Sequence, residues 1–218
     1  RTVLKEYNRA LAQRNMLLKD IAKNSSLSDM LYIWDRNLAA SGAKIIFQRS
    51  KYIEALLPYA KEVFNGLSSG REEIDLILSG AFDYKNLSVS DIERNLMIAF
   101  ENSRSNDFMN RITTVGPHRD DMDIMINGKS ARTYGSQGQQ RSCVLALKLA
   151  EASLLKEMTQ DEPLALLDDV MSELDISRQD YILNHIKDWQ VFITCCDANT
   201  VLRLKNGKTF HIADGDLI

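Results

Sequence analysis

The sequence has few cysteines, prolines and tryptophans, and its formal net charge is only -3. Its three cysteines, Cys143, Cys195 and Cys196, include one adjacent pair and no C-x-x-C spacing. That pattern supports neither a disulfide framework nor zinc-site spacing, and leaves three thiols expected to be small and buried. Long apolar runs are missing too. Lys148 or Pro163 interrupts each candidate well short of the roughly 20 residues a membrane helix needs, and no charged-then-apolar leader opens the chain. A cytoplasmic protein with no membrane partner is expected. The small net charge gives no global footprint for nucleic acid, although a local basic patch can still be assembled in three dimensions. The opening residues Arg1-Thr2-Val3-Leu4 are already in helical rhythm without an initiator Met, so the chain is expected to be the interior of a longer gene product.

What is present is enough apolar material for a sizeable core: 44% of 218 residues are hydrophobic. Leu4, Tyr7, Leu11, Leu18 and Ile21 recur at three- and four-residue spacing, with charged residues on the other faces, which predicts an amphipathic helix. Asn24-Ser25-Ser26 interrupts it, and Ser28 is expected to cap a second helix through Leu31, Trp34, Leu38, Ile45, Tyr52 and Leu56. The pair predicts an antiparallel helical hairpin, kinked or restarted at Pro58 and ended by Gly66 and Gly70. Residues 74–78 read as a short strand, and Ser90-Asp91-Ile92-Glu93 as a capping box opening a helix toward Phe108.

From about Thr113 the texture changes. Met122, Ile124 and Ile126 alternate with Asp121, Asp123 and Met125 before Asn127-Gly128, a hairpin signal. Residues 143–158 are apolar nearly all round and predict a buried helix. Residues 164–167 and 191–194 predict buried strands, with a helix over 177–188 between them. Helices alternating with short apolar strands indicate an α/β layer with parallel strands. The expected division is a mainly helical lobe over 1–112 and an α/β part over 113–218.

Two stretches carry chemistry. The apolar run 164–167 ends in Asp168 and Asp169, and ligands of parallel sheets sit outside the carboxyl ends of the strands. Adjacent carboxylates there suit a divalent cation and the orientation of an attacking water, although an isolated pair of this kind is more often a solvated strand end. Upstream, Tyr134-Gly135-Ser136-Gln137-Gly138-Gln139-Gln140-Arg141 places small and amide side chains at a helix start, where unpaired N–H groups favour phosphate. Taken alone, that octet reads as a polar loop with Ser136 as an ordinary cap. Gly128-Lys129-Ser130 is not a P-loop, because Asp123 stands where that motif needs glycine. In Gly116-Pro117-His118-Arg119-Asp120-Asp121, His118 could sense phosphate or bond to Asp120, the second being favoured for a lone histidine.

The order SQGQQR, buried helix, LALLDD and SELD resembles the signature motif, Walker B strand and D-loop of ABC-type ATPase heads. Within that superfamily, GPHRDD, YGSQGQQRS, LLDDVMSELD and the helical WDRNLAASGAKI resemble the RecF family of bacterial recombination mediators, relatives of the SMC proteins. The resemblance covers nearly the whole chain, with residues 1–112 similar to that family's arm. It implies that Ser136, Gln137, Gly138 and Gln139 form a signature loop touching ATP held by a second subunit, and that Asp168 is the Mg²⁺ ligand. It also implies that Asp169 orients the hydrolytic water and that Asp175 lies at the seam of a homodimer formed with ATP. Implied partners are double-stranded DNA or its junction with a single-stranded gap, with RecR, and indirectly RecO and RecA.

The sequence departs from the pattern in three ways. Asp169 stands where most relatives have Glu; Thr194-Cys195-Cys196 replaces the usual switch histidine; and no Walker A motif occurs in the 218 residues. The chain alone is therefore expected to be inactive as an ATPase. Alternative readings are a nucleotide-binding subunit of a membrane transporter and a non-enzymatic interaction module.

Overall fold

The computed structural model describes residues 2–171, 174–196, 207–213 and 215–217. Ser172 and Glu173 of the expected D-loop turn lie outside the described residues.

Helix α1 spans Thr2–Ile21 and buries Tyr7, Ala10, Arg14, Leu17, Leu18 and Ile21, close to the face the apolar spacing predicts. The link to the next helix is a 3-10 turn, Ser25–Met30, whose N-cap is Asn24: its side chain accepts from the Ser26 amide. Ser28, expected as a helix cap, therefore lies inside that turn. Helix α2 then runs unbroken over Leu31–Leu67 with Pro58 inside it. Proline has no N–H for the Glu54 carbonyl, yet the helix continues through it, correcting the expected restart. Tyr7 sits beside Gly42, and Arg14 beside Asp35. As one helix ascends in number the other descends, so the pair is antiparallel, as predicted.

Strand β1, Ile74–Ser79, follows, and then helix α3, Val89–Asn110. The α3 capping box is real but two residues earlier than expected: Ser88 accepts from the Asp91 amide, and the Asp91 carboxylate accepts from the Ser88 amide. Strands β2, Asp121–Ile126, and β3, Lys129–Ser130, form the predicted hairpin, with Ile126 opposite Lys129. Asn127 (φ 48°) and Gly128 (φ 75°) both adopt the left-handed conformation such a tight turn requires. These strands form one sheet in the order β1-β2-β3. Strand β3 is only two residues long because the chain turns at once into α4, Ala131–Tyr134.

Helix α5, Gln137–Thr159, leads to β4, Leu164–Asp168, helix α6, Ile176–His185, and β5, Gln190–Thr194. β4 and β5 pair in parallel, from Leu164 opposite Gln190 to Asp168 opposite Thr194. A short antiparallel pair, β6 (Ile212–Ala213) with β7 (Asp216–Leu217), follows near the end. The protein is thus α/β with a parallel β-α-β element, as expected.

The chain divides into two compact units, residues 1–57 with 75–135, and residues 58–74 with 136–218. The sequence division at residue 112 follows texture, whereas these units follow packing, and α2 passes from one to the other at Pro58. In the first unit α1, α2 and α3 share a core that includes Tyr7, Leu38, Ala39, Ile46, Ile92, Leu96 and Phe100. At its edge Arg14 is fully buried: its Nε donates to Asp35 and its Nη1 to Asp107, both at 2.6 Å, and Nη1 also donates to Thr113 Oγ1 at 3.0 Å.

Burial in the second unit corrects the sequence reading. Helix α5 buries Cys143, Leu145, Ala146, Leu149, Ala150 and Leu154, but Val144, Leu155 and Met158 are exposed. In the parallel pair Leu167 is buried, while Leu164 (56%), Leu166 (70%) and Phe192 (54%) are exposed. Side chains alternate along a strand and Leu166 lies opposite Phe192, so these three share one bare face. Apolar residues signal capacity for burial; among the described residues nothing covers this face. Of the cysteines, only Cys143 is buried as expected. Burial, together with the nearby Glu72 charge, pushes its thiol up to about 11, so it stays protonated and inert.

Candidate nucleotide-binding site

Four of the predicted loop residues lie at the start of α5. Ser136 is the N-cap: its hydroxyl accepts from the Gln139 amide at 3.2 Å, and the Gln139 side-chain oxygen accepts from the Ser136 amide at 2.7 Å. The amide end of Gln139 donates to Glu72 at 2.6 Å. Gln139 is thus held from both ends and closes the cap rather than projecting from it. Gln137 and Gly138 occupy the first turn, and a Cβ on Gly138 would lie 3.7 Å from the Arg178 guanidinium. Gly135 has a different constraint. Its amide bonds to the Ala131 carbonyl, and a Cβ there would come within 2.4 Å of that oxygen.

Asp175 caps α6 by accepting from the Arg178 amide at 3.0 Å. The Arg178 side chain pairs with Asp175 at 3.4 Å and donates through Nε to the Leu67 carbonyl at 3.3 Å. Arg178 therefore borders both Gly138 and Asp175, two residues 37 positions apart to which the resemblance gives separate roles. Glu72 and Arg178 were not singled out from the sequence. Each is an ordinary charged residue whose significance comes from folding alone.

Asp168 ends β4, and Asp169 follows with φ at 51°. Among L residues other than glycine, Asp and Asn enter this left-handed region most readily, because their short polar side chains bond locally. Glutamate does so less easily, which gives a physical reason for Asp at this position. The Asp169 amide donates to the Thr194 carbonyl (3.2 Å) and to the Thr194 hydroxyl (3.0 Å), while that hydroxyl donates to Asp168 Oδ1 at 2.5 Å. Both carboxylates are exposed at the carboxyl edge of a parallel pair. Asp168 Oδ2 makes no hydrogen bond among the described residues. Hard oxygen donors of this kind fit Mg²⁺, which takes one or two carboxylates and completes its shell with phosphate and water. The described residues contain no cluster of three or more His, Cys, Asp or Glu able to hold a metal unaided.

The Gly116–Asp121 turn corrects the reading of its histidine. His118 Nε2 faces the Thr113 carbonyl at 3.1 Å and so carries the proton, leaving Nδ1 to accept from the Tyr7 hydroxyl at 2.6 Å. Both ring nitrogens are thus taken up by Tyr7 and Thr113, and Asp120 is not a partner. Burial holds its pKa below the usual histidine value, consistent with a neutral ring that ties the turn to α1. Asp120 instead accepts from Tyr84 at 2.9 Å, and burial raises its pKa. Among the basic side chains of the helical segment, Arg49 donates to the Pro117 carbonyl, Lys51 pairs with Glu54, Arg104 with Asp35, and Arg36 lies over Tyr32. Arg111 is the left-handed cap of α3.

A parallel β-α-β element ending in adjacent carboxylates, preceded by a capped, glycine-containing helix start, defines the class: part of an ABC-type ATPase head. No family model matches the chain. It is 37% identical to a DNA replication and repair protein RecF of Acetivibrio thermocellus, covering 95% of this chain and 59% of that protein. It is 43% identical to one of Ruminiclostridium cellulolyticum, covering 98% and 58%. A solved structure of the recombination mediator protein RecF with ATPγS superposes with a TM-score of 0.83 at 37% identity, covering 99% of this chain and 57% of that one. Sequence and fold therefore place the chain with the RecF proteins, and the matches are consistent with a C-terminal part of one. The chain spans under three-fifths of the length of these relatives. Their naming for DNA replication and repair does not favour a transporter subunit, and no described helix is long and apolar enough to cross a membrane.

Proposed function

We propose that this chain supplies the signature loop, Walker B strand and D-loop of a RecF ATPase whose P-loop comes from the rest of the protein's length. The carrying observation is the pair Asp168 and Asp169 at the carboxyl end of β4, held in defined geometry by β5. In this reading Asp168 holds Mg²⁺, Asp169 orients the attacking water, and the α5 start (Ser136, Gln137, Gly138, Gln139) faces the phosphates of ATP on a second copy. Mg²⁺ would neutralise developing phosphate charge. Asp175 lies at the seam of the resulting two-fold dimer. Residues 1–112 act as the arm and 113–218 as head. The bare face of Leu164, Leu166 and Phe192 supports an incomplete head, because parallel sheets are normally covered on both sides.

The assembled protein acts in the cytoplasm as an ATP-controlled clamp on double-stranded DNA or gapped junctions. It works with RecR, and through it with RecO and RecA, in gap repair. Phosphate contacts predict DNA affinity that falls steeply with salt. Without P-loop amides the chain alone should not turn over ATP. The test is ATP hydrolysis by this chain, by the remaining segment, and by their mixture, with Asp169→Asn as control. Activity confined to the mixture and lost in the variant supports the reading. Substantial turnover by this chain alone, or an assembled mixture that never hydrolyses ATP, refutes it.

A further inference from the structure

Thr194 ends β5 directly opposite Asp168, and its single hydroxyl is fully committed. It accepts the Asp169 amide at 3.0 Å, so its one proton is directed to Asp168 Oδ1, where it makes the short 2.5 Å bond. The same residue's carbonyl accepts the Asp169 amide a second time at 3.2 Å. One exposed side chain therefore links the Asp168 carboxylate to the backbone amide of Asp169, the two residues that the proposed function assigns to metal and water. It occupies one lone pair of Oδ1 and fixes the rotation of the Asp168 carboxylate. It also braces the left-handed backbone at residue 169 (φ 51°), a conformation uncommon for a residue with a side chain.

We propose that Thr194 is a positioning residue for divalent-metal binding: its hydroxyl aims Asp168 at the cation and holds Asp169 in register beside it. The inference rests on the reading of Asp168 as metal ligand. Groups that orient a metal ligand through a hydrogen bond typically change metal affinity about 10–100-fold when removed. Thr194 lies at the strand end, exposed, and its replacement removes no core contact, so an effect on metal would act through the hydrogen bonds. Valine is the informative substitution: it keeps the branched shape and strand preference of threonine and removes only the hydroxyl.

The experiment uses the complete protein carrying this chain, with Mn²⁺ as probe, titrated in the presence of ATP and followed by the loss of the free-ion electron paramagnetic resonance signal. Binding of a fluorescent ATP analogue in EDTA is the parallel readout. Thr194→Val should weaken Mn²⁺ binding about 10-fold or more while leaving metal-free nucleotide binding unchanged, and Thr194→Ser should restore affinity to within about threefold. Asp168→Asn should abolish nucleotide-dependent Mn²⁺ binding. Should the valine variant fail to fold by circular dichroism, Thr194→Ala takes its place in the comparison with serine. If Asp168→Asn loses Mn²⁺ but neither hydroxyl-free variant weakens it, or serine fails to rescue, Thr194 has no positioning role while the Asp168 reading stands. If Asp168→Asn binds Mn²⁺ normally, the reading fails and the proposal falls with it.

Discussion

The most demanding prediction concerns Arg14. Its guanidinium is wholly buried between two carboxylates, with Asp35 and Asp107 at 2.6 Å each, and lies 5.3 Å from the centre of the Phe100 ring. Arg104 approaches Asp35 at 3.5 Å, so the cluster holds two cations against two anions, three of the four groups being essentially inaccessible. Replacing Arg14 by Met keeps the bulk of the stem but leaves a net negative charge in the interior. Breaking a buried pair from one side costs about 3–5 kcal/mol, because the abandoned ion keeps its desolvation penalty. Asp107 retains donors in the Thr114 amide and hydroxyl, and Asp35 retains Arg104, so the lower half of that range is expected. With a urea dependence of about 2 kcal/mol/M, the midpoint should fall by roughly 2 M. Trp34 packs beside both core clusters of the first unit, and the only other tryptophan is Trp189. A Trp189→Phe background therefore gives a fluorescence signal local to the perturbation. Adding Asp35→Leu to Arg14→Met removes one charge of each sign and should recover at least about 1 kcal/mol relative to additivity. A loss under about 1 kcal/mol for Arg14→Met, or strict additivity in the double variant, would mean that the network is not what holds these helices together.

Asp169→Asn should leave the unfolding midpoint of the chain unchanged, because Asn tolerates φ 51°, and should abolish turnover in the complete protein; Asp169→Val should cost about 1–3 kcal/mol in backbone strain, read by urea denaturation. Gly135→Ala puts a Cβ 2.4 Å from the Ala131 carbonyl oxygen and should unwind α4 at a cost of about 1–3 kcal/mol, measured the same way. His118 has a folded pKa below its unfolded value, so the unfolded state binds more protons as pH falls through the ordinary histidine range. Stability should be full above that range and decline below about pH 6.5, by at most about 1.4 kcal/mol per pH unit. His118→Gln should flatten this slope in Trp34-monitored unfolding; an unchanged slope would refute the assignment.

How legible was this in the sequence? Periodicity located the helical hairpin, the β2–β3 turn and the β4–β5 pair, because each depends on local spacing or on a short apolar run. It misplaced caps at Ser28 and Ser90, since several serines nearby could serve and only the folded backbone selects Asn24 and Ser88. Pro58 read as a break, but the packing of α2 outweighs one lost hydrogen bond. At the candidate site the motif residues were visible by type and order. Their supports were not: Glu72 meets Gln139, Arg178 reaches Leu67, and Thr194 meets Asp168 across 67, 111 and 26 residues respectively. Such pairings are set by topology, and no local pattern encodes them.

The same distinction explains the bare strand face. Apolarity at Leu164, Leu166 and Phe192 encodes a requirement for cover, and the described residues leave all three more than half exposed. Full burial of side chains like these is worth about 1.5–3 kcal/mol each. Covering this face would therefore contribute several kcal/mol, comparable to the whole stability of a typical domain. A two-stranded parallel element open on one side also leaves strand edges free to pair with other chains. If an upstream segment supplies the P-loop and packs on this face, nucleotide-site completion and stabilisation of β4–β5 are one event. Mixing the two parts should then raise the unfolding midpoint of this chain, and Leu166→Asp should abolish that rise while leaving the chain alone nearly unaffected. A rise that survives Leu166→Asp would place the cover elsewhere and separate assembly of the site from burial of this sheet.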